Sequence, residues 1–396
     1  MRRIHYPILL RNVEPAKANT FVGLFTLEGI CRALLATVVP LLAYQYLGDA
    51  QLVTLLYLVL NAVGLLIGLT LPMLLHTLAR RWVLTAGALC YVVGGFALAQ
   101  ANLVGLVIGL SGQVMATAFL ELTINLYLLD HIPRKELNHF EPKRLLFSGT
   151  AFAVCPWLGV WLHHNAHPNS TFFVVVGFAV LLAIYFWHQR LSEDDAIQPA
   201  SGPPPNPFRF LPRFMAQPRL VLAWVLAVGR NGWWLMYFVY SPIFVAQSGL
   251  SPEIGGALVS LGVAPMLLVR YWGRLGVKYG IRRLLMISFA VNGAFTLAAG
   301  LMAPQPWVAM GLMWCAAFTA TIIDGAGNVP FLRAVHPHER GEMTSVFMTF
   351  RYATSLLVPA LFAIVLIAFP LNAVFIAAGC VALLMAYLSS YLPRRF

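Results

Sequence analysis

Long apolar stretches alternate along the chain with short polar or basic breaks. Twelve stretches reach the ~20 residues that a spanning helix needs. They run over 18–46, 51–77, 82–100, 103–129, 145–164, 171–188, 219–246, 254–276, 283–302, 306–333, 343–369 and 371–391. Lipid offers no partner to an unpaired backbone group, and the period-two alternation of a barrel strand is missing, so the pattern predicts helices. The expected fold is an all-α integral membrane protein with twelve transmembrane helices.

The breaks predict how it sits in the bilayer. Arg2, Arg3, Arg11 and Lys17 precede the first span, and Arg80 and Arg81 follow the second. Arg134, Lys135, Lys143 and Arg144 follow the fourth, and Arg190, Arg209, Arg213 and Arg219 the sixth. Arg274, Lys278, Arg282, Arg283, Arg333, Arg340, Arg394 and Arg395 recur on the same side. Together these are 22 of the 26 Lys and Arg residues, and the six loops on the other side hold none. The positive-inside bias therefore places both termini in the cytoplasm. The expected location is the inner, cytoplasmic membrane, spanned many times. The first span serves as an uncleaved insertion signal, since MRRIHYPILLRNVEPAK has no secretory pattern.

The longest break, LSEDDAIQPASGPPPNPFRFLPRFMAQPR, is acidic, then Pro-rich, then basic. It divides the chain into a six-helix bundle over 1–190, a cytoplasmic linker over 191–218 and a second six-helix bundle over 219–396. The linker leaves room for a short surface helix at FRFLPRFM. The halves echo each other at an offset of roughly 200 residues, as internal repeats of secondary transporters do. Arg32 answers to Arg230, Glu121 to Asp324, and the break ending at Arg81 to the break ending at Arg283.

Composition narrows the classes. The chain is 60% hydrophobic and 10% charged, with a mean hydropathy of +0.78, which leaves a soluble domain no surface for water. The net charge of +12 comes from residues at the ends of apolar runs, not from one basic face, so nucleic acid is not the expected partner; the lipid bilayer is. The five cysteines lie in apolar runs without metal-ligand spacing and read as small buried hydrophobes. His163, His164 and His167 read as a plain polar loop, because a metal or pH-sensing site there would lack paired ligands. No phosphate-binding loop and no nucleophile–base pair stands out, so neither ATP nor enzyme chemistry is expected, and no cofactor or metal is implied.

Seven charges fall inside the apolar runs: Glu28, Arg32, Glu121, Arg230, Arg270, Asp324 and Arg351. A charge at bilayer depth costs at least ~2.5–3.5 kcal/mol, so it faces a partner or a cavity. Glu28 and Arg32, four residues apart, share a helix face and can pair. Gln113, Thr117, Glu121 and Asn125 make one polar stripe on the fourth span. Arg230, Trp234, Tyr237 and Ser241 share a face of the seventh, where an Arg beside aromatic rings suits an anionic or aromatic ligand. Thr321, Asp324 and Asn328 share a face of the tenth. Asp324 and Arg351 fall at similar depth and are expected either to pair as a gate or to form part of a coupling site.

Two segments carry a family resemblance. GRLGVKYGIRR, 273–283, is similar to the loop pattern G-x-L-x-D-R-x-G-R-R of the major facilitator superfamily, with Gly273, Leu275, Lys278, Gly280 and Arg282 matching in type and Val277 at the Asp position. The first-half copy keeps Arg80 and Arg81, with Leu75 and Leu78 replacing Asp and Gly. CPWLG, 155–159, resembles the G-P-x-x-G element of the family's antiporters and contains Pro156. The resemblance implies rocker-switch alternating access, with spans 1, 4, 7 and 10 lining a central cavity, joined by 2, 5, 8 and 11. It gives gating roles to Gly273, Lys278, Gly280, Arg282, Arg80, Arg81 and Pro156, with Arg270 as a further candidate.

The expected activity is secondary active transport of a small organic solute, proton-coupled and outward, by a monomer. Glu121, Asp324 and then Glu28 are the expected proton carriers. Arg32, Arg230, Gln113, Thr117, Asn125, Trp234, Tyr237, Asn328 and Arg351 are expected to line the cavity. Four buried Arg against three acids tilts the solute towards an anion or a zwitterion. The alternative is a proton symporter importing a metabolite or a metal-chelate.

Overall fold

The computed structural model describes residues 15–131, 137–189, 207–336 and 339–393. Arg2, Arg3, Arg11, Arg134, Lys135, Arg190, Arg394 and Arg395, and most of the expected linker, lie outside the described residues.

The first half forms α1 (Pro15–Leu47), α2 (Ala50–Thr77), α3 (Arg80–Leu98), α4 (Leu103–His131), α5 (Leu137–Trp161) and α6 (Ser170–His188). A single π turn, Leu162–Ala166, follows α5. The short helix that the linker left room for at FRFLPRFM is present as α7 (Pro207–Met215). Next come α8 (Pro218–Gln247), α9 (Pro252–Val263), α10 (Val269–Tyr279), α11 (Ile281–Leu301) and α12 (Pro306–Ala326). The chain finishes with α13 (Val329–Ala334), α14 (Arg340–Phe347), α15 (Phe350–Ala368) and α16 (Asn372–Ser389). Proline in the first turn starts α8, α9 and α12, where its missing N–H leaves no bond unmade.

Among the described residues ten helical stretches are long and apolar enough to cross a membrane. The seventh expected span is present as the 30-residue α8, whose Arg230, Asn231 and aromatic residues dilute its apolarity. The eighth is interrupted by a 3-10 turn, Ala264–Leu268, between α9 and α10. Pro265 supplies a cause, since its ring cannot continue the ladder, and its carbonyl instead accepts a bond from Trp272 Nε1 at 3.1 Å. The tenth span breaks at Gly327, which has φ +51°, and the eleventh at Met348 and Thr349.

Within the first half, α3 packs on α4 and α6, and α1 on α4, α5 and α6. Within the second, α11 packs on α12 and α16, and α8 on α9, α15 and α16. Between the halves, α5 packs on α9 and on the turn Ala264–Leu268, α2 on α15, and α1 on α8 and α9.

We call the end holding α7, α14 and the starts of α3 and α11 the basic end. At the opposite end the two halves come into close contact. A Cβ built on Gly256 of α9 would lie 3.0 Å from the Trp157 Cα and 3.1 Å from the Pro156 carbonyl oxygen on α5. The Trp157 N–H donates to Ser260 Oγ at 3.0 Å; it also lies one residue after a proline, at a local break in the helix's own bonding. Thr54 and Tyr240, both buried, share a 2.7 Å hydroxyl bond between α2 and α8.

At the basic end α7 is clamped to the second half. Phe214 is buried with Leu220, Phe331, Met343 and Phe347, and the Phe331 and Phe347 rings stack at 4.1 Å. Arg213 pairs with Glu339, which also accepts a 3.0 Å bond from Gln217 Nε2. Of the cysteines, Cys31 and Cys155 are buried, Cys90 and Cys315 are half-buried, and Cys380 is exposed on α16. Cys380 thus departs from the buried reading, because among the described residues nothing covers its helix face.

Candidate transport site

The charged residues inside the spans gather into three groups between the ends. The first is built on α1. Arg32 Nη2 lies 3.3 Å from Glu28 Oε2, and its guanidinium sits 5.4 Å from the centre of the Phe152 ring on α5. Glu28 is only 3% exposed. Its Oε1, and Arg32 Nε, are buried without a hydrogen-bond partner among the described residues. A buried polar atom left unmatched costs roughly 1–3 kcal/mol, more when charged, so such atoms mark places that something else completes.

The second group is on α4. The Thr117 and Tyr91 hydroxyls are 3.2 Å apart, joining α4 to α3. Thr117 also donates to the Gln113 carbonyl at 2.9 Å, and Asn125 Nδ2 to the Glu121 carbonyl at 2.7 Å. These two side chains therefore spend a donor on their own helix. Gln113 Oε1 is buried without a partner among the described residues. Glu121 reaches across to α15 and pairs with Arg351, one ion pair linking the two halves and still partly open to solvent.

The third group joins α8 and α12. Arg230 Nε lies 3.5 Å from Asp324 Oδ1. Trp234 Nε1 donates to Asp324 Oδ2 at 2.7 Å, and Arg230 Nη2 to Asn328 Oδ1 at 3.2 Å. One guanidinium thus meets both Asp324 of α12 and Asn328, which follows the break at Gly327 and precedes α13.

Two expectations are corrected here. Asp324 and Arg351 do not pair: the α12 acid is taken by Arg230 and the α15 cation by Glu121. Tyr237 does not line an open site. It is fully buried, donates to the Leu258 carbonyl at 2.6 Å and stacks on Trp233 at 5.1 Å. Its face of α8 is covered by α9, whose Gly262 lies against the phenol.

The gating candidates divide between the ends. Gly280 closes α10 and opens α11 with φ +85°, a left-handed conformation that favours glycine. Gly273 lies on α10 against Gly325 of α12. Lys278 is exposed, 5.1 Å from the Tyr279 ring, while Arg282 Nε is buried without a partner. Arg80 and Arg81 open α3, with Arg81 5.9 Å from the Trp82 ring. Pro156 lies away from these, at the α5–α9 crossing. The Arg270 side chain lies outside the described residues.

Sequence reasoning missed Tyr91, Glu253 and Glu339. Glu253, in the first turn of α9, accepts a 3.0 Å bond from Asn165 Nδ2 beyond α5. The available signal was its position: an acid beside a loop on the side without Lys or Arg. Among the described residues no group of three His, Cys, Asp or Glu could hold a metal ion. The arrangement sets carboxylates against guanidinia inside the spans, in pairs that a charged solute can enter only by taking the place of one partner.

A multi-pass helical bundle with ion pairs inside its spans, one of them joining the two halves, has the form of a membrane transporter. The chain belongs to the major facilitator superfamily, whose family model matches residues 21–323. Its fold is similar to a bacterial homologue of the iron transporter ferroportin in an inward-facing state, at 16% identity and TM-score 0.71 over 96% of this chain and 100% of that one. It is similar also to the peptide transporter POT in complex with sulfate, at 13% identity and TM-score 0.73 over 95% and 94%. The nucleoside transporter NupG matches at 15% identity and TM-score 0.68 over 95% and 98%. No curated protein matches the sequence. The protein is a secondary transporter and not an enzyme.

Proposed function

We propose that the protein exports a small zwitterionic organic solute in exchange for protons, by alternating access of two bundles, 1–190 and 219–396, joined by the segment 191–218. It works as a monomer in the inner membrane with its basic end in the cytoplasm, where the positive-inside bias puts it. Pro156 in CPWLG supports the antiport direction.

The observation that carries the substrate class is the pairing of every described guanidinium in the site. Arg32 meets Glu28, Arg230 meets Asp324, and Arg351 meets Glu121. A pure anion must displace a carboxylate to reach an Arg, so it binds only after that carboxylate takes a proton, and the two then travel together. A solute with its own ammonium instead competes with the proton for the carboxylate, which is exchange. A zwitterion satisfies both signs, its ammonium at Glu28 and its carboxylate at Arg230 and Asn328. Glu28 leads as the exchanging acid because its Oε1 is buried and unmatched. Glu121 and Asp324, each with its partners, follow.

The test uses liposomes holding a pH-sensitive dye, an imposed proton gradient, and panels of zwitterions, amines and anions. Zwitterion-dependent proton movement opposite to the solute, absent in Glu28→Gln while solute exchange persists, supports the reading. Coupling retained in Glu28→Gln moves the proton to Glu121 or Asp324. Movement of solute and proton in the same direction makes the protein a symporter, and solute flux without proton movement removes coupling altogether.

A further inference from the structure

A second cavity, of about 470 Å³, lies at the end opposite the basic one. It is separate from the ion-paired groups and nothing in the transport reading uses it. Its size falls in the range of small-molecule sites, roughly 300–1,000 Å³. The apolar wall combines Val38, Leu41 and Leu42 of α1 with Val160 of α5 and Ala246 of α8. The cavity is therefore walled by both halves, and its walls part if that end opens.

The polar rim selects a ligand. His163 Nδ1 is 2.5 Å from the Pro168 carbonyl oxygen. A carbonyl only accepts, so Nδ1 carries the proton and the neutral ring keeps Nε2 as an acceptor. Gln45 adds an amide at the same rim. Behind His164 stands Glu253, whose carboxylate is held by Asn165 and Ser251, both neutral, and by His164 Nε2 at 3.7 Å. The imidazole is the one among these that can carry charge. The loops and helix ends here contain the acids Asp49 and Glu253 and no Lys or Arg. An apolar chamber with acceptors at its rim, backed behind His164 by a carboxylate with no Lys or Arg near it in the sequence, is complementary to a hydrophobic ammonium ion.

We propose that this cavity is a binding site for a small apolar amine, which bridges α1 and α5 to α8 and α9 and binds only while that end is shut. A ligand that contacts both walls favours the closed arrangement by its differential affinity for it.

A matched series sharing one cage tests this on the full-length protein in detergent: 1-adamantanamine, 1-adamantanol and 1-adamantanecarboxylate. Calorimetric binding and thermal unfolding are the readouts, so transport is not needed. The amine is expected to bind and raise Tm, and the carboxylate to do neither. Ala246→Phe fills the chamber and is expected to abolish binding. Glu253→Gln weakens it about fivefold, the size of a partly exposed charge pair. His164→Arg, on an exposed side chain, gives Glu253 a permanent cation and weakens the amine similarly. Glu28→Gln and Asp324→Asn leave the affinity unchanged.

Equal binding of all three cages overturns the ammonium assignment. Binding that survives Ala246→Phe, or that disappears in Glu28→Gln, places the amine in the transport site and overturns the proposal, without bearing on whether that site carries zwitterions.

Discussion

Replacing Gly256 by alanine tests whether the α5–α9 crossing is the closed gate of the end opposite the basic one. The added Cβ would lie 3.0 Å from the Trp157 Cα and 3.1 Å from the Pro156 oxygen. Both are backbone atoms, so neither can rotate away, and the helices must separate by a few tenths of an ångström. Overpacking of this kind costs roughly 1–3 kcal/mol. If the crossing exists only when this end is shut, the penalty falls on that state alone and shifts the closed-to-open ratio by about 5- to 150-fold. Spin labels at exposed Tyr46 and Gln247, on a cysteine-free background, report the distance across this end. Gly256→Ala is expected to populate a longer distance, and the control Gly379→Ala is not. A Cβ on Gly379 would lie 2.6 Å from the Leu297 nitrogen, but α16 and α11 belong to the same half, so the strain is present in every state and appears as a lower Tm. An unchanged distance distribution in Gly256→Ala, with a lower Tm, would refute the reasoning: the crossing would then be permanent packing.

Three further outcomes follow from the same geometry. Arg230→Ala and Asp324→Ala each strand a largely buried partner and should lower stability by about 3–5 kcal/mol, while Arg230→Leu with Asp324→Leu should lose clearly less; thermal unfolding of the two singles and the double decides it. Glu339→Ala removes the acid that holds Arg213 and Gln217, so trypsin should cleave faster after Arg213 and Arg219, with the rest of the digestion pattern unchanged. Gly280→Ala forces a Cβ into φ +85°, costing roughly 1–2 kcal/mol, and should lower Tm by a few degrees; an unchanged Tm would mean that the α10–α11 corner adopts another conformation.

The site was partly legible in one dimension. Charges in apolar runs are expensive enough to stand out, so Glu28, Arg32, Glu121, Arg230, Asp324 and Arg351 could be picked without coordinates. The pairing of Glu28 with Arg32 needed only helix periodicity, because both lie on one helix a turn apart. The pairing of Arg351 was not readable in this way. Depth along the membrane suggested Asp324, but which acid an Arg meets depends on the rotation of α15 against α4 and α12, and periodicity carries no information about a neighbour's rotation. Tyr237 failed for the same reason: its helix face was assigned correctly, but α9 covers that face.

The sequence by itself determined the class of molecule and its helical spans, since the transfer of apolar side chains into lipid is a local, additive quantity that each stretch carries alone. It also suggested a repeated design, because corresponding charges and basic breaks recur along one chain. Only the tertiary structure decided where spans break, through Pro265 and Gly327, and which carboxylate serves which guanidinium. Only the structure, too, built the cavity beside His163 and Glu253. The pairings between helices and the cavity depend on contacts between residues far apart in the chain, whose energies exist only once the helices have packed.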